Sequence, residues 1–459
     1  MAAYPYVRVE AQDDLDAVDT TFDTTADEKA VQFQGSVGYE ARLSTSDGAG
    51  TRRYVGLAAL LVGLAALSVY LGTALAPRAV PADVCSPIGG GRPFRFHVYP
   101  DMPNNMLTDI IAEVVRLNWS RIDGDDNQHG IEQILWDLLP THPCHTDDPA
   151  LADAFYVPAQ TTHARFFGMQ SYPADVVQWL ETAHPATWHA ASGTDHYFAR
   201  EAFMGQTRPF SEHVNLVGVE LCDTYHNDEG DQIDWYHFAH RARDIVGPYP
   251  DPYAPLVFTP SFLAEHPKDR TVIFAGSSGV GVTDHRSRLK RILEAAGEPS
   301  ALWFEMGARD QMVMDVYRVT ARGHFGVALA GDSLTARRLF TYMAAGTIPV
   351  VITDHLVLPF ASLIEWTEIV VFIPEDVFGS ERFDLVRHLE AIPHAQRERM
   401  RAAARRAYPR LAFHADRIVP GDATDNIVRE MALGSLKARS TTDTLRRLKT
   451  SSATFAGVV

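Results

Sequence analysis

Between Phe325 and Trp366, the segment FGVALAGDSLTARRLFTYMAAGTIPVVITDHLVLPFASLIEW holds residues suited to gripping a diphosphate. The apolar run FGVALA reads as a strand and leads into Gly331, whose missing side chain suits a tight turn and a close backbone approach. Asp332 or Ser333 can cap a helix that runs to Ala345 and stops at Gly346, a usual C-terminal cap residue. IPVVI then returns as a strand. A helix start offers unpaired N–H groups and a partial positive charge, which together hold phosphate oxygens. Arg338, expected near the middle of the helix, adds a bidentate phosphate contact. The alternative for Arg337 and Arg338 is solvated helix surface. An Asp332 carboxylate beside phosphate is unfavourable, so its expected part is to cap the helix.

Metal chemistry has less support. Asp123-Gly124-Asp125 has Asp-x-Asp spacing but sits in an acidic, loop-like stretch with no apolar strand before it, and reads as solvated surface. His142 with His145, and His237 with His240, have ligand-like spacing, yet no further ligand set accompanies either pair. AGSSGVG (275–281) fits neither G-x-G-x-x-G nor G-x-S-x-G, so neither a dinucleotide enzyme nor a serine hydrolase is indicated. No metal or cofactor is expected to be required.

The elements that must position these residues alternate in type. FRFHVY (94–99), AFYVPA (154–159), TVIFAG (271–276), ALWFEM (301–306), FGVALA (325–330), IPVVI (348–352) and IVVFIP (369–374) read as strands. Thr108–Leu117, Arg286–Ala296, Gln311–Arg322 and Leu334–Ala345 have helical spacing of apolar residues. Strand–helix–strand repetition argues for an α/β architecture with parallel sheets, in two lobes divided near residue 260. Ligands in such folds bind at the carboxyl ends of the strands.

Around this region the chain changes character. Residues 1–53 are polar and aperiodic and read as a disordered tail. Residues 54–76 are uncharged over 23 positions, about 34 Å as a helix, which suits one transmembrane signal-anchor. Arg52 and Arg53 precede the span and Arg78 alone closely follows it, so the N-terminus is expected in the cytosol and the remainder in the lumen. Residues 77–93 read as a stem, and 434–459 as a flexible tail. The net charge of −17 argues against nucleic acid as a partner. With only Cys85, Cys144 and Cys222, a dense disulfide framework is excluded, and a Cys144–Cys222 bridge is conceivable in an oxidising lumen. Asn118-Trp119-Ser120 is an N-glycosylation sequon that fits luminal exposure.

The Phe325–Trp366 segment resembles the donor-side signature of the exostosin family of glycosyltransferases. Gly331, Asp332, Arg338, Leu339, Gly346, Ile348, Pro349 and Val350 fall on its positions, as do Leu358, Pro359, Phe360 and Trp366. Other stretches follow in the family's order. FRFHVYPDMP resembles its opening strand, and Thr146, Asp148, Pro149, Ala152, Phe155, Val157 and Pro158 match a second motif. Trp188, Gly193, Asp195 and His196 match a third. RTVIFAGSSGVGVTDHRSRL resembles the strand, here ending at Gly276, and the loop that lead to an arginine, here Arg286.

The resemblance implies a GT-B-like pair of Rossmann-like lobes, with an acceptor-side lobe over 94–260 and a nucleotide-sugar lobe over 261–418. It implies inverting transfer from a UDP-sugar to a glycan acceptor, in the Golgi membrane, with the catalytic domain luminal. Gly276, Arg286, Gly331, Asp332, Ser333, Arg338 and Gly346 are then expected at the nucleotide-sugar. Asp195 or His196 is expected as the base or an acceptor-positioning group, or else as a structural turn satisfied by hydrogen bonds. Homo- or hetero-oligomers with other glycosyltransferases are left open. Three positions depart from the family pattern: Thr341 replaces an acidic residue, Thr194 an arginine, and Ala336 a common serine. They keep a second reading open, a non-catalytic accessory subunit that binds glycan or stabilises a partner enzyme.

Overall fold

The computed structural model of the chain describes residues 31–33, 39–41, 85–86, 92–103, 130–166, 169, 171–200, 214–219, 243–251, 253–277, 285–306, 313–330, 334–414 and 417–435. The chain divides into two units, Met1–Pro81 and Ala82–Val459. In the first, Val31–Phe33 pairs antiparallel with Tyr39–Ala41. Residues 54–76 and the expected helix Thr108–Leu117 lie outside the described residues. Among those described, no helix is long and apolar enough to cross a membrane.

The second unit holds two α/β lobes. In the N-terminal lobe, β1 (Phe96–Val98), β2 (Ala154–Val157), β3 (His196–Ala199), β4 (Asn215–Gly218) and β5 (Ile245–Val246) form a parallel sheet in simple sequence order. All five strands are buried along their length, as sheets covered on both faces require. Helices α1 (Ile131–Leu138) and α2 (Tyr172–Ala183) pack on this sheet through stripes such as Ile131, Ile134, Leu135 and Leu138. Strands β3 to β5 lack long apolar runs, and the sequence patterning did not mark them.

Cys144 pairs with Cys85, across 59 residues, rather than with Cys222, which lies outside the described residues. The physical reason is local. The Cys85 carbonyl accepts from Phe94 N (2.9 Å) and the Cys144 carbonyl from Phe96 N (3.1 Å), so both cysteines flank the entry to β1. Part of the expected stem is thereby stapled to the lobe.

In the C-terminal lobe, β6 (Arg270–Gly276), β7 (Ala301–Glu305), β8 (Gly323–Leu329), β9 (Ile348–Ile352) and β10 (Val371–Phe372) form a parallel sheet in the order β10-β9-β8-β6-β7. Helices α3 (His285–Ala296), α4 (Val313–Ala321), α5 (Arg338–Ala344) and α6 (His394–Ala407) belong to this lobe. Strand order runs one way from β6 to β7 and the other way from β8 to β10. The reversal lies between the neighbours β6 and β8. At their carboxyl ends, a reversal of this kind opens a crevice for ligands.

Residues 423–435 form a further helix, α7, that turns back onto the N-terminal lobe. Asp425 Oδ1 lies 3.2 Å from His142 Nε2, and Ser435 Oγ donates to the Asp153 carbonyl at 3.5 Å. Ile427, Val428, Met431 and Ala432 join a buried core shared with residues of both lobes, such as Tyr156 and Phe340.

Candidate active site

Gly276 ends β6 and Ala330 directly follows β8, at the reversal. Two arginines meet there on one aromatic ring. The Arg338 guanidinium lies 4.6 Å from the Phe274 ring centroid, and the Arg286 guanidinium 5.9 Å from it. Trp303 from β7 stacks on Phe274 at 4.4 Å, extending the apolar column. Gly276 makes the approach feasible. A Cβ there would stand 2.8 Å from the Phe274 ring and 3.0 Å from Arg338 Nη2, tighter than side-chain contacts allow.

Arg286, buried on α3, donates from Nε to the Ala330 carbonyl (3.2 Å) and from Nη1 to the Ser277 carbonyl (3.0 Å). It ties the loop after β6 to the end of β8. Tyr342, one turn beyond Arg338, donates its hydroxyl to the Val327 carbonyl (3.1 Å) and accepts from Ala275 N (3.4 Å). Both central strands thus fix the start of α5. Burial raises the Tyr342 phenol above its usual range, so it stays a neutral pin. The arrangement puts two permanent cations at the mouth of a parallel-sheet crevice. That suits binding an oxyanion and stabilising charge that grows on it.

Two expectations about this segment change. The helix begins at Arg338, its first residue, rather than near Ser333, and has seven residues. Arg338 therefore sits at the crevice and not at mid-helix. Gly346 stands apart from Arg338 along the helix. It lies at the far end of α5 with φ of +67°, where its N–H bonds the Met343 carbonyl (3.1 Å) and Thr347 N bonds Tyr342 O (2.8 Å). It follows the helix C-cap, Ala345, at the amino end of β9. Gly331, Asp332 and Ser333 lie outside the described residues.

Asp195 and His196 stand at the amino end of β3. His196 is fully buried, with Nδ1 2.7 Å from Asp195 Oδ1 and Nε2 2.8 Å from the Tyr99 hydroxyl. Its ring stacks on Phe155 (4.8 Å) and meets the edge of Trp188 (5.0 Å). Tyr99 also bonds Thr187 Oγ1 (2.8 Å). Both nitrogens are engaged and the ring has no exposure, which is the geometry of the satisfied Asp-His turn. The structure does not bring this pair together with Arg286 and Arg338, which lie at the carboxyl edge of the other sheet.

The match to known proteins spans both of these regions. Residues 90–383 fit the family model of the exostosin GT47 domain. The chain belongs to the exostosin GT47 family. It is 26% identical over 365 residues to a probable glucuronosyltransferase 47 A of Physcomitrium patens, covering 73% of this chain and 77% of that one. It is 24% identical over 266 residues to a probable glucuronoxylan glucuronosyltransferase IRX7 of Arabidopsis thaliana, covering 54% of this chain and 57% of that one. With human Exostosin-2 it shares 34% identity over 93 residues, 20% of this chain and 12% of that protein.

Within this exostosin chain, two of the three departures, Thr341 and Thr194, are bonded to neighbours. Thr341 donates to Asp251 Oδ2 (3.3 Å), and Asp251 also accepts from the Tyr317 hydroxyl and from Tyr253 N (3.2 Å). A buried carboxylate from the segment joining the lobes thus reaches the place where the family pattern has an acidic side chain on the helix. Burial, followed by the charge of Asp251 and the bond to it, holds the Tyr317 phenol well above its usual range. Thr194, in place of an arginine, caps its own turn through Ala191 O (2.8 Å), and its carbonyl accepts from the Arg243 guanidinium. No sequence signal links position 251 to 341 or 243 to 194.

A further group went unnoticed in the sequence. Glu132, buried at the start of α1, accepts from Thr161 Oγ1 (2.9 Å) and Thr162 N (3.0 Å) beyond the carboxyl end of β2. Of the histidines with ligand-like spacing, His142 is bonded to Asp425 and accepts from Cys144 N (3.1 Å). His145 stacks with His97 at 6.2 Å. Asp123, Asp125, His237 and His240 lie outside the described residues. No group of three or more metal-binding side chains occurs among the described residues.

Proposed function

We propose that this chain is an inverting glycosyltransferase that moves a sugar from a UDP-sugar to a glycan acceptor in the secretory pathway. The observation that carries this is the convergence of Arg286 and Arg338 on Phe274, at the strand-order reversal of the C-terminal sheet. The acceptor hydroxyl oxygen attacks the anomeric carbon as the bond to the outer phosphate oxygen breaks, and the hydroxyl proton passes to a base. Charge grows on the departing diphosphate, so cations fixed beforehand stabilise the transition state more than the ground state. These two cations supply the charge that a metal supplies in other transferases, so activity should survive chelation. Asp195 and His196 act in this reading as the brace that shapes the acceptor-side lobe.

The Cys85–Cys144 bridge supports an oxidising compartment, and residues 54–76 support a type II anchor with the catalytic domain in the Golgi lumen. Relatives named as glucuronosyltransferases and as a xyloglucan galactosyltransferase make UDP-glucuronate and UDP-galactose the first donors to try. The full chain in detergent, assayed with a UDP-sugar panel and oligosaccharide acceptors in the presence of EDTA, is expected to release UDP with one preferred donor and to elongate an acceptor. UDP binding without transfer to any acceptor would favour the accessory subunit, the reading suggested by Thr341 in an acidic position. Folded protein that neither binds UDP nor turns over would remove the donor-site assignment.

A further inference from the structure

The opposite, amino edge of the C-terminal sheet gathers cations that the reaction does not use. Lys268 precedes β6, His324 is the second residue of β8, and Arg397, Arg401 and Arg405 recur at four-residue intervals along α6, on one face. Arg401 is 7% exposed; its Nη2 lies 2.6 Å from His324 Nδ1 and its Nη1 pairs with Glu398. Lys268 Nζ donates to the Ala345 carbonyl (3.1 Å) and to Thr347 Oγ1 (2.9 Å). The one carboxylate acting on Lys268, His324 and Arg401 among the described residues is Glu398.

Three guanidinium groups and the Lys268 amine, which burial and then Arg401 and Arg405 hold well below the usual lysine range, therefore face a single carboxylate. Burial first, then Arg401, Arg397 and Lys268, press His324 down to about 4, so its ring is neutral at pH 7. Because a guanidinium can only donate, His324 Nδ1 is the acceptor and the ring proton sits on Nε2. The Nε atoms of Arg397 and Arg401 are buried without a hydrogen-bond partner. Leaving buried donors unmade is unfavourable. The cluster thus presents several inward donors, an excess of positive charge and no spare acceptor. Such chemistry excludes a metal cation and fits a compact anion with several oxygens.

We propose that this cluster is a second anion site, which takes a phosphate- or sulfate-class oxyanion. It lies the length of β6 from Arg286 and Arg338, roughly 20 Å at the usual strand rise. A free ion, or such a group on a glycan, shares this chemistry.

The test is calorimetric titration of the full chain with inorganic phosphate and with sulfate, at ionic strength held constant with sodium chloride. Three proteins are compared: wild type, Arg338→Ala, and the double variant Arg397→Gln/Arg405→Gln, which changes half-buried and exposed residues. Saturable binding by at least one ion is expected, retained in Arg338→Ala, and weakened about tenfold or more in the double variant. Arg401→Gln, reported with its melting temperature, is expected to abolish binding. If the double variant binds a phosphorylated or sulfated oligosaccharide as weakly as it binds the ion, the glycan-borne group uses the same site. Absence of saturable binding by either ion would overturn the proposal, as would loss of binding in Arg338→Ala or unchanged affinity in the double variant. The outcome does not depend on transferase activity.

Discussion

The two lobes solve different problems with the same kind of sheet. The N-terminal strands run in simple order, and the His196 of their titratable motif is sealed under aromatic rings at the amino edge, bonded to the half-buried Asp195. The C-terminal strands reverse between β6 and β8, and Arg286 and Arg338 converge on Phe274 at the carboxyl edge at that point. One lobe thus holds its motif residues in a hydrogen-bonded turn, and the other gathers them at a candidate binding edge. What separates the two sets is the edge of the sheet at which they lie, the amino edge for Asp195-His196 and the carboxyl edge for Arg286 and Arg338.

The sharpest way to break the contrast is a matched pair of substitutions. Arg338→Ala should lower kcat by about a hundred- to a thousandfold with little change in melting temperature, as loss of an electrostatic stabiliser does. His196→Ala should behave the opposite way. Removing a buried ring and stranding Tyr99 and Asp195 should cost about 3–5 kcal/mol of stability, measured by urea unfolding, while any folded fraction keeps its turnover. Similar loss of turnover in both, from folded protein, would erase the distinction.

A second comparison sets Asp251 against the acidic residue absent at position 341. Thr341→Glu should destabilise the protein by about 3 kcal/mol, because it places a second carboxylate beside a buried one. Combined with Asp251→Asn, it should recover at least about 1 kcal/mol of that loss in a double-mutant cycle. Additive effects would mean that the two positions do not share one carboxylate.

A smaller effect concerns α7. Burial works to raise the Asp425 carboxyl, but the bonds from His142 and Gly421 N, with the charge of Arg429, outweigh it and hold the group below its ordinary value. A depressed carboxylate adds stability that is present above the unfolded pKa and lost as pH falls through the folded one. Acid unfolding below about pH 4 should therefore be milder in Asp425→Asn than in wild type, relative to each protein's stability at pH 7.

The strands of the C-terminal lobe were legible because buried parallel strands are written as apolar runs. TVIFAG and IPVVI fall on β6 and β9, and the helical spacing of Arg286–Ala296 falls on α3. β3 was invisible for the converse reason: HYFA opens with a buried histidine whose hydrogen bonds only the fold supplies. The Arg338 site was partly legible, since the residue type and the resemblance pointed to it. Its position was misplaced by a turn because cap residues at 332–333 suggested an earlier helix start. The Cys85–Cys144 pairing, the Asp251–Thr341 contact and the return of α7 were not legible. Each joins residues far apart in the chain, and no local periodicity encodes such a meeting.

The most direct test of the central claim is UDP binding by the full chain, measured by calorimetry for wild type, Arg338→Ala and His196→Gln. A nucleotide held at the carboxyl edge of β6 and β8 predicts roughly ten- to hundredfold weaker binding in Arg338→Ala and near-wild-type affinity in folded His196→Gln. Unchanged affinity in Arg338→Ala, or its loss in folded His196→Gln, would contradict the account and move the nucleotide away from the C-terminal sheet.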